Sequence, residues 1–418
     1  MKFIHCSDLH IDSPLDGLER YPGAPLEALR GATREATVAL VDLAIARRVD
    51  FLVIAGDVFD GSWRDMNTGL FFVSQMRRLE REGIPVYLKK GNHDAESEIT
   101  RTLSLPSNVH AFPAERPHTF RLDALRVALH GRSFATRAVA DDIASRYPEA
   151  VPGWFNIGVL HTSLAGYAAH DPYAPTSLDV LVARGYDYWA LGHVHAREVL
   201  RERGPRIVYC GNLQGRHIGE TGSKGCELVE VLDGEVRAEH VALDVVRWSR
   251  LSVPIDGVLD LSDLERVAGR VMRAAHEAGG GRLGAWRVQL EGTGPLHRWV
   301  SAHADLALGE LRSMADAASD GRAWVESMRV RSRLPPTMLE PAADDPLAEC
   351  LRLSAALADD PQRLGEFAAS ALREVLTKLP SELRAGPRGL GLEDHETLAA
   401  LLREAEATLL DRLDGASA

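Results

Sequence analysis

The chain has 418 residues, 45% of them apolar, and a formal net charge of −12. That length exceeds one hydrophobic core, so two or three domains are expected. No apolar run is long enough to span a membrane, and the acidic balance excludes a uniformly basic nucleic-acid coat while leaving room for a local basic groove.

Met1-Lys2 opens directly into a strand, which leaves no place for a signal-peptide apolar region. Cys6, Cys210, Cys226 and Cys350 show no paired spacing. They read as reduced thiols of a cytoplasmic protein, not as a disulfide framework or a zinc site.

The first strand, Ile4-His5-Cys6-Ser7-Asp8-Leu9-His10, ends in Asp-x-His. Ile11 to Ala24 follows as a loop, either a substrate rim or plain surface. Leu26 to Arg48 carries Leu29, Ala32, Ala36, Leu40, Leu43 and Ala44 at helical spacing and should cover the sheet. A second strand, Phe51 to Asp57, ends in Gly-Asp. Asp60, just beyond, is either an acceptor for a ligand imidazole or a solvated acid. Asn67 to Glu82 is a second amphipathic helix, closed by Gly83 and Pro85. Val86 to Lys90 is a buried strand that delivers Gly91-Asn92-His93-Asp94 onto a loop.

Residues 95 to 107 read as loop and short helix. Thr119 to Leu122 and Leu125 to His130 alternate around Asp123-Ala124 as a hairpin. Arg132, at its end, is either a phosphate contact or a surface arginine. Ile157 to His161 is a strand ending in a single His. The loop to Pro175 holds His170, which reads either as a substrate contact or as a structural hydrogen-bonding residue. Leu178 to Ala183 is a short helix, and Tyr186 to Leu191 a strand before Gly192-His193-Val194-His195.

Arg197 to Arg201 and Arg206 to Cys210 are short strands. They lead into Gly211-Asn212-Leu213-Gln214-Gly215-Arg216-His217, where Arg216 and His217 offer donors to a phosphate. Glu227 to Leu243 alternates across Asp233-Gly234, a hairpin expected at the antiparallel edge of the second sheet. The first domain thus reads as a two-sheet sandwich with helices outside, residues 1–245.

Strands at Leu251 to Ile255, Ala285 to Leu290 and Trp324 to Arg333 alternate with helices at Leu259 to Ala278 and Leu296 to Leu311. They predict a small α/β domain over 246–336, closed by Pro335-Pro336. Residues 337–418 carry leucines at helical spacing around Gly386, Pro387 and Gly389. Such short amphipathic helices need a partner surface, in this chain or another protein.

Five apolar strands each deliver a carboxylate, amide or imidazole at the C-terminal end, where an open α/β sheet binds ligands. One such residue alone is more often a satisfied core group. Asp8, His10, Asp57, Asn92, His161, His193 and His195 together exceed the about four to six ligands of one divalent ion. They point to two ions sharing a bridge, for which the two-oxygen Asp57 is suited. With no thiolate in the set, manganese, iron, magnesium or zinc would fit.

In this order the fragments resemble the calcineurin-like metallophosphoesterase superfamily, over the first half of the chain. The resemblance implies a four-layer αββα sandwich. Asp8-Leu9-His10 looks like the DNA-repair nuclease branch. The added α/β domain looks like the capping domain that guides DNA there. The His161-to-Pro175 and Gly211-to-His217 segments look like those of SbcD-related YhaO proteins. The resemblance implies a DNA exo- or endonuclease, manganese dependence, and a coiled-coil ATPase partner of the SbcC type, here docked through the C-terminal helices; a homodimer is an alternative.

On this reading Asp8, His10 and His195 serve one ion and Asn92, His161 and His193 the other, with Asp57 between. The ions lower the pKa of a bridging water that attacks phosphorus. His93 protonates the leaving oxygen or stabilises the transition state, and Asp94 orients its ring. Lys89, Lys90, Arg132 and Arg216 would supply a local basic track. The rivals are a small-molecule phosphatase or diesterase, a scaffold that lost catalysis, and a regulatory subunit active only with its ATPase.

Overall fold

The computed structural model describes residues 1–14, 23–60, 65–96, 103–136, 139, 141–164, 174–335, 346–378, 392 and 394–415. Two compact units are present. One comprises Met1–Arg250, Ala274–Arg287 and Ser319–Glu326; the other comprises Leu251–Arg273, Val288–Ala318 and Ser327–Ala418.

In the first unit β1 (Lys2–Cys6), β2 (Phe51–Ile54), β3 (Val86–Leu88) and β4 (Val109–Ala111) run parallel. Next come β5 (His118–Leu122), β6 (Val127–Gly131), β7 (Phe155–His161), β8 (Tyr188–Gly192), β9 (Glu198–Arg201) and β10 (Arg206–Tyr209), then the hairpin β11 (Gly225–Leu232) and β12 (Glu235–Ala242). One sheet has the order β12-β11-β1-β2-β3-β4, the other β5-β6-β7-β8-β10-β9.

The two sheets pack face to face, because residues alternate along each strand. Phe3, Phe51, Val53, Tyr87, Ile157, Val159, Tyr188, Val208 and Val229 fill the space between them. Phe3 stacks on Phe51 at 5.0 Å and meets Tyr188 edge-on. The intervening residues Ile4, Cys6, Leu52, Ile54, Val86 and Leu88 point to the opposite face. There they pack with Leu40 and Val41 of α1 (Leu26–Arg47) and Phe72, Met76 and Leu79 of α2 (Met66–Arg81). The outer face of the second sheet buries Trp189, Leu191, Ile207 and Tyr209 with Tyr147 and Leu181. Helix, sheet, sheet and a mixed outer layer make up the αββα sandwich.

The hairpin turns at Asp233-Gly234, both at positive φ (52° and 80°). It does not edge the second sheet, as its alternation suggested. Instead β11 pairs antiparallel with β1, Phe3 opposite Val229. Alternation sets which face of a strand is buried but not which distant strand it meets. The three-residue β4 is too short to show a period in the sequence.

Strands β13 (Val246–Pro254), β14 (Leu283–Thr293) and β15 (Ala323–Arg333) form a third sheet. The helix expected over Leu296 to Leu311 is two, Leu296–Ala302 and Ala304–Ser319. They separate where the backbone of His303 leaves the helical region (φ −129°, ψ 48°). Helices Pro346–Ala358, Pro361–Ala371, Arg373–Lys378 and His395–Gly415 follow. Helix His395–Gly415 packs on Leu296–Ala302, Pro346–Ala358 and Pro361–Ala371. Leu364, Leu398 and Ala399 form the buried core of that helical packing. The four cysteines are free, and no described helix is long and apolar enough to cross a membrane.

Candidate metal centre

The ligand-bearing loops are tied by main-chain bonds before any side chain acts. Asp8 N donates to Gly56 O at 2.9 Å, and His10 N to Asp57 O at 3.1 Å. Asp8, His10, Asp57 and His193 all have positive φ, at 52°, 42°, 55° and 99°. Residues with a Cβ pay about 1–3 kcal/mol each there, and such strain concentrates at functional sites. Two glycines make room. A Cβ on Gly91 would stand 2.1 Å from Asp57 Oδ1, and one on Gly56 2.5 Å from His161 Nδ1. Asn92, His93 and Asp94 lie on the single-turn helix α3 (Asn92–Glu96), not on the open loop expected from sequence.

Two groups of donors converge. His161 Nδ1 donates to the carbonyl of Ala55 at 2.9 Å, so on binding a metal the ring would turn its Nε2 lone pair inward. That nitrogen faces Asn92 Oδ1 at 2.9 Å and Asp57 Oδ2 at 3.2 Å. In the second group His195 Nδ1 donates to Glu220 Oε1 at 2.7 Å. Its Nε2 faces His10 Nε2 at 3.2 Å and Asp8 Oδ1 at 3.7 Å. Electron-rich atoms forced together in a buried site repel one another unless a cation lies among them.

The residues therefore fit divalent metal. Asp8, His10 and His195, and Asp8, Asp57 and His161, each bring ligand atoms within 4.8 Å of one another. Asp57 Oδ2 reaches both groups, 3.2 Å from His161 Nε2 and 3.9 Å from His10 Nε2. Its Oδ1 accepts from His93 N at 3.1 Å. The ring of His193 lies 5.2 Å from that of His161, and its backbone N donates to Asp8 Oδ2 at 3.0 Å. The seven candidate ligands thus gather at one place.

His93 lies beside them, its side chain 31% exposed, with Nδ1 3.0 Å from Asp60 Oδ1. Asp60, and not the adjacent Asp94, is its ring partner. Asp94 is buried and accepts from the backbone amides of Val58 (3.0 Å), Phe59 (3.1 Å) and Gly91 (3.1 Å), so it shapes the loops. Burial, then the charge of Asp57, pushes its carboxyl up to about 6, against those amides. Burial would also raise Asp60, but the adjacent imidazoles of His10 and His93 hold it far below the carboxylate range.

The candidate substrate residues divide: Arg216 and His217 adjoin Glu220 beside the metal centre, and Arg132 bonds elsewhere. Arg216 is 15% exposed and paired with Asp60 and Glu220. His217 is 60% exposed, with Nε2 3.6 Å from Glu220. Arg132 is half-buried and donates to Ala114 O at 2.9 Å. His170 lies outside the described residues. Lys89 cannot belong to a surface track: it is fully buried, with Nζ 3.7 Å from the Phe134 ring centre and 3.1 Å from Lys90 O. Burial lowers its pKa to about 7.

Two contributors carry too little signal to be singled out in the sequence. Glu220 holds His195, and Ser7 Oγ donates to Asp8 Oδ2 at 2.6 Å. Ser7 at least adjoins Asp8. Glu220 stands 25 residues beyond its imidazole, with no local pattern to mark it.

Comparisons with known proteins reach the metal centre and extend beyond it. Residues 1–197 match the calcineurin-like phosphoesterase family, and residues 248–333 match the middle domain of metallophosphoesterase YhaO. An uncharacterized metallophosphoesterase YhaO of Bacillus subtilis is 38% identical over 267 residues, 63% of this chain and 65% of that relative. A DNA double-strand break repair protein Mre11 of Methanopyrus kandleri is 26% identical over 212 residues, 47% of this chain and 44% of its own length. The chain therefore spans less than two thirds of these curated relatives. The crystal structure of TT1561 of Thermus thermophilus aligns at 13% identity over 58% of this chain and 98% of that one, with a TM-score of 0.35.

Proposed function

Residues 1–197 carry a calcineurin-like phosphoesterase domain, and from that premise we propose that the chain is a metallophosphoesterase that cleaves DNA phosphodiesters with two divalent ions, as an SbcD-like repair nuclease. The observation that carries the two-ion reading is Asp57 Oδ2, which faces both imidazole groups. DNA as the substrate is supported by the likeness of 47% of the chain to a DNA double-strand break repair protein.

Bound ions would supply Lewis-acid stabilisation of the phosphoryl oxygens and a water of lowered pKa; Asp8, His10 and His195 would hold one, Asn92, His161 and His193 the other, and Asp57 both. The all-oxygen-and-nitrogen donor set suits manganese, magnesium, iron or zinc, and the likeness to the nuclease branch favours manganese among them. The chain's own part is orientation and proton handling. Asp60 fixes the ring of His93 through Nδ1, so exchange with a leaving oxygen falls to Nε2. The C-terminal helices, with Leu353, Phe367, Val375 and Leu401 exposed, are our candidate surface for an SbcC-like coiled-coil ATPase.

End-labelled duplex and single-stranded DNA incubated with manganese, magnesium or chelator tests the reading. Cleavage should need the metal, and His93→Ala should lose about 100- to 10,000-fold of turnover while calorimetry shows its ions retained. Intact DNA beside turnover of bis-p-nitrophenyl phosphate would move the substrate to a small diester. That second reading is favoured by the net charge of −12 and the burial of Lys89.

A further inference from the structure

We propose that Arg216 is a positioning residue that, through Glu220 and Asp60, sets the rings of His195 and His93 and thereby governs one of the two metal positions. The inference rests on the metallophosphoesterase reading and names a device within that site.

The guanidinium is committed inward. Its Nη2 donates to Glu220 Oε1 at 2.9 Å and lies 3.3 Å from His195 Nδ1. Nη1 donates to Ser13 Oγ at 3.1 Å and lies 3.5 Å from Asp60 Oδ2. Nε points to Glu220 Oε2 at 3.4 Å, and the backbone N of Arg216 donates to the same oxygen at 2.8 Å. A planar fork of five donors can grip one carboxylate at two points while reaching a second, a geometry that a compact ammonium does not match.

Those carboxylates hold the imidazoles. Glu220 Oε1 accepts from His195 Nδ1 at 2.7 Å, and Asp60 Oδ1 accepts from His93 Nδ1 at 3.0 Å and lies 3.6 Å from His10 Nδ1. An Nδ1–H held by a carboxylate fixes the tautomer and aims Nε2 at the ion. Arg216 supplies the positive charge that lets two buried carboxylates stand so close to the Asp8 and Asp57 pair.

The network is one-sided. His161 rests on the backbone carbonyl of Ala55, and Asn92 on His161, and neither bond involves Arg216, Asp60 or Glu220. A main-chain carbonyl cannot swing away, whereas a charge network of side chains loosens when its centre is removed. Loss of Arg216 should therefore weaken the Asp8–His10–His195 position and release His93, while the Asp57–Asn92–His161 position persists.

Full-length wild type, Arg216→Met, Arg216→Lys and Glu220→Gln would be titrated with manganese by calorimetry and assayed on bis-p-nitrophenyl phosphate. Wild type should bind two ions. Arg216→Met should weaken one of them about 10- to 100-fold and leave the other, with kcat falling in step and KM within about twofold. Arg216→Lys should fail to restore the lost ion, and Glu220→Gln, which keeps the shape, should show the same split in lesser measure. A several-fold rise in KM with both ions unchanged would overturn the proposal and make Arg216 a substrate contact. Equal weakening of both ions in Arg216→Met, with Glu220→Gln like wild type, would reduce it to general scaffolding. A wild type that binds two ions yet leaves the diester intact would count against the phosphoesterase reading alone, since the titration still decides this one. A wild type that binds none would sink both.

Discussion

Gly91 shows how little room the site leaves a single atom. A Cβ there would fall 2.1 Å from Asp57 Oδ1 and 2.9 Å from Asp57 N, so the bridging carboxylate must shift. Gly91→Ala is expected to fold with an overpacking loss of about 1–3 kcal/mol. Its manganese affinity should fall more than about tenfold, as read by calorimetry beside a urea melt of the metal-free protein. At this scale the residue types were legible: seven ligand-type side chains sat at strand ends in the sequence, and the fold gathers them. What each touches was not legible. The adjacency of His93 and Asp94 suggested a pair, but side chains of consecutive residues diverge, and Asp60 on another loop takes the ring. Lys89 read as a surface cation because charge is visible in sequence and burial is not.

The strand β11 carries the clearest pH-dependent test. Glu227, fully buried, accepts from Arg197 Nε at 2.5 Å and lies 3.5 Å from Arg206 Nη2. Burial alone would raise its carboxyl, but the hydrogen bond and charge of Arg197 hold it below the ordinary 4.5. A carboxyl lowered by folding stabilises fully above its unfolded value, and the gain is lost as pH falls through the folded value. Glu227→Gln should therefore be less stable than wild type at pH 7. The gap should narrow once pH drops below 4.5, as urea melts at pH 7 and at pH 4 would show. The hairpin that holds Glu227 was legible in Asp233-Gly234 and in alternation; its docking on β1 was not, since β1 lies at the far end of the sequence. The break at His303 likewise carries no Gly or Pro to announce it.

For the molecule as a whole, ion binding and folding are linked. A ligand bound only by the native state stabilises it by about 2.7 kcal/mol at 100 times its Kd. Chelation should therefore lower the melting temperature of the unit that holds the metal centre. Calorimetric scans with and without chelator would show the shift. A single unshifted transition would argue that the donors hold no ion in solution.

The αββα sandwich, its strand-end donors and the divalent-metal chemistry they suit were all written in the order of residues along the chain. Apolar runs, turn residues and ligand types are local properties, and they repeat in an order that few folds require. Three features emerged from folding alone: Arg216 faces inward, Glu220 accepts from His195, and β11 pairs with β1 in the first sheet; folding also decided between the two roles open to Asp60, which takes the ring of His93. Each depends on contacts between residues far apart along the chain, set by packing and charge neutralisation that no local pattern encodes.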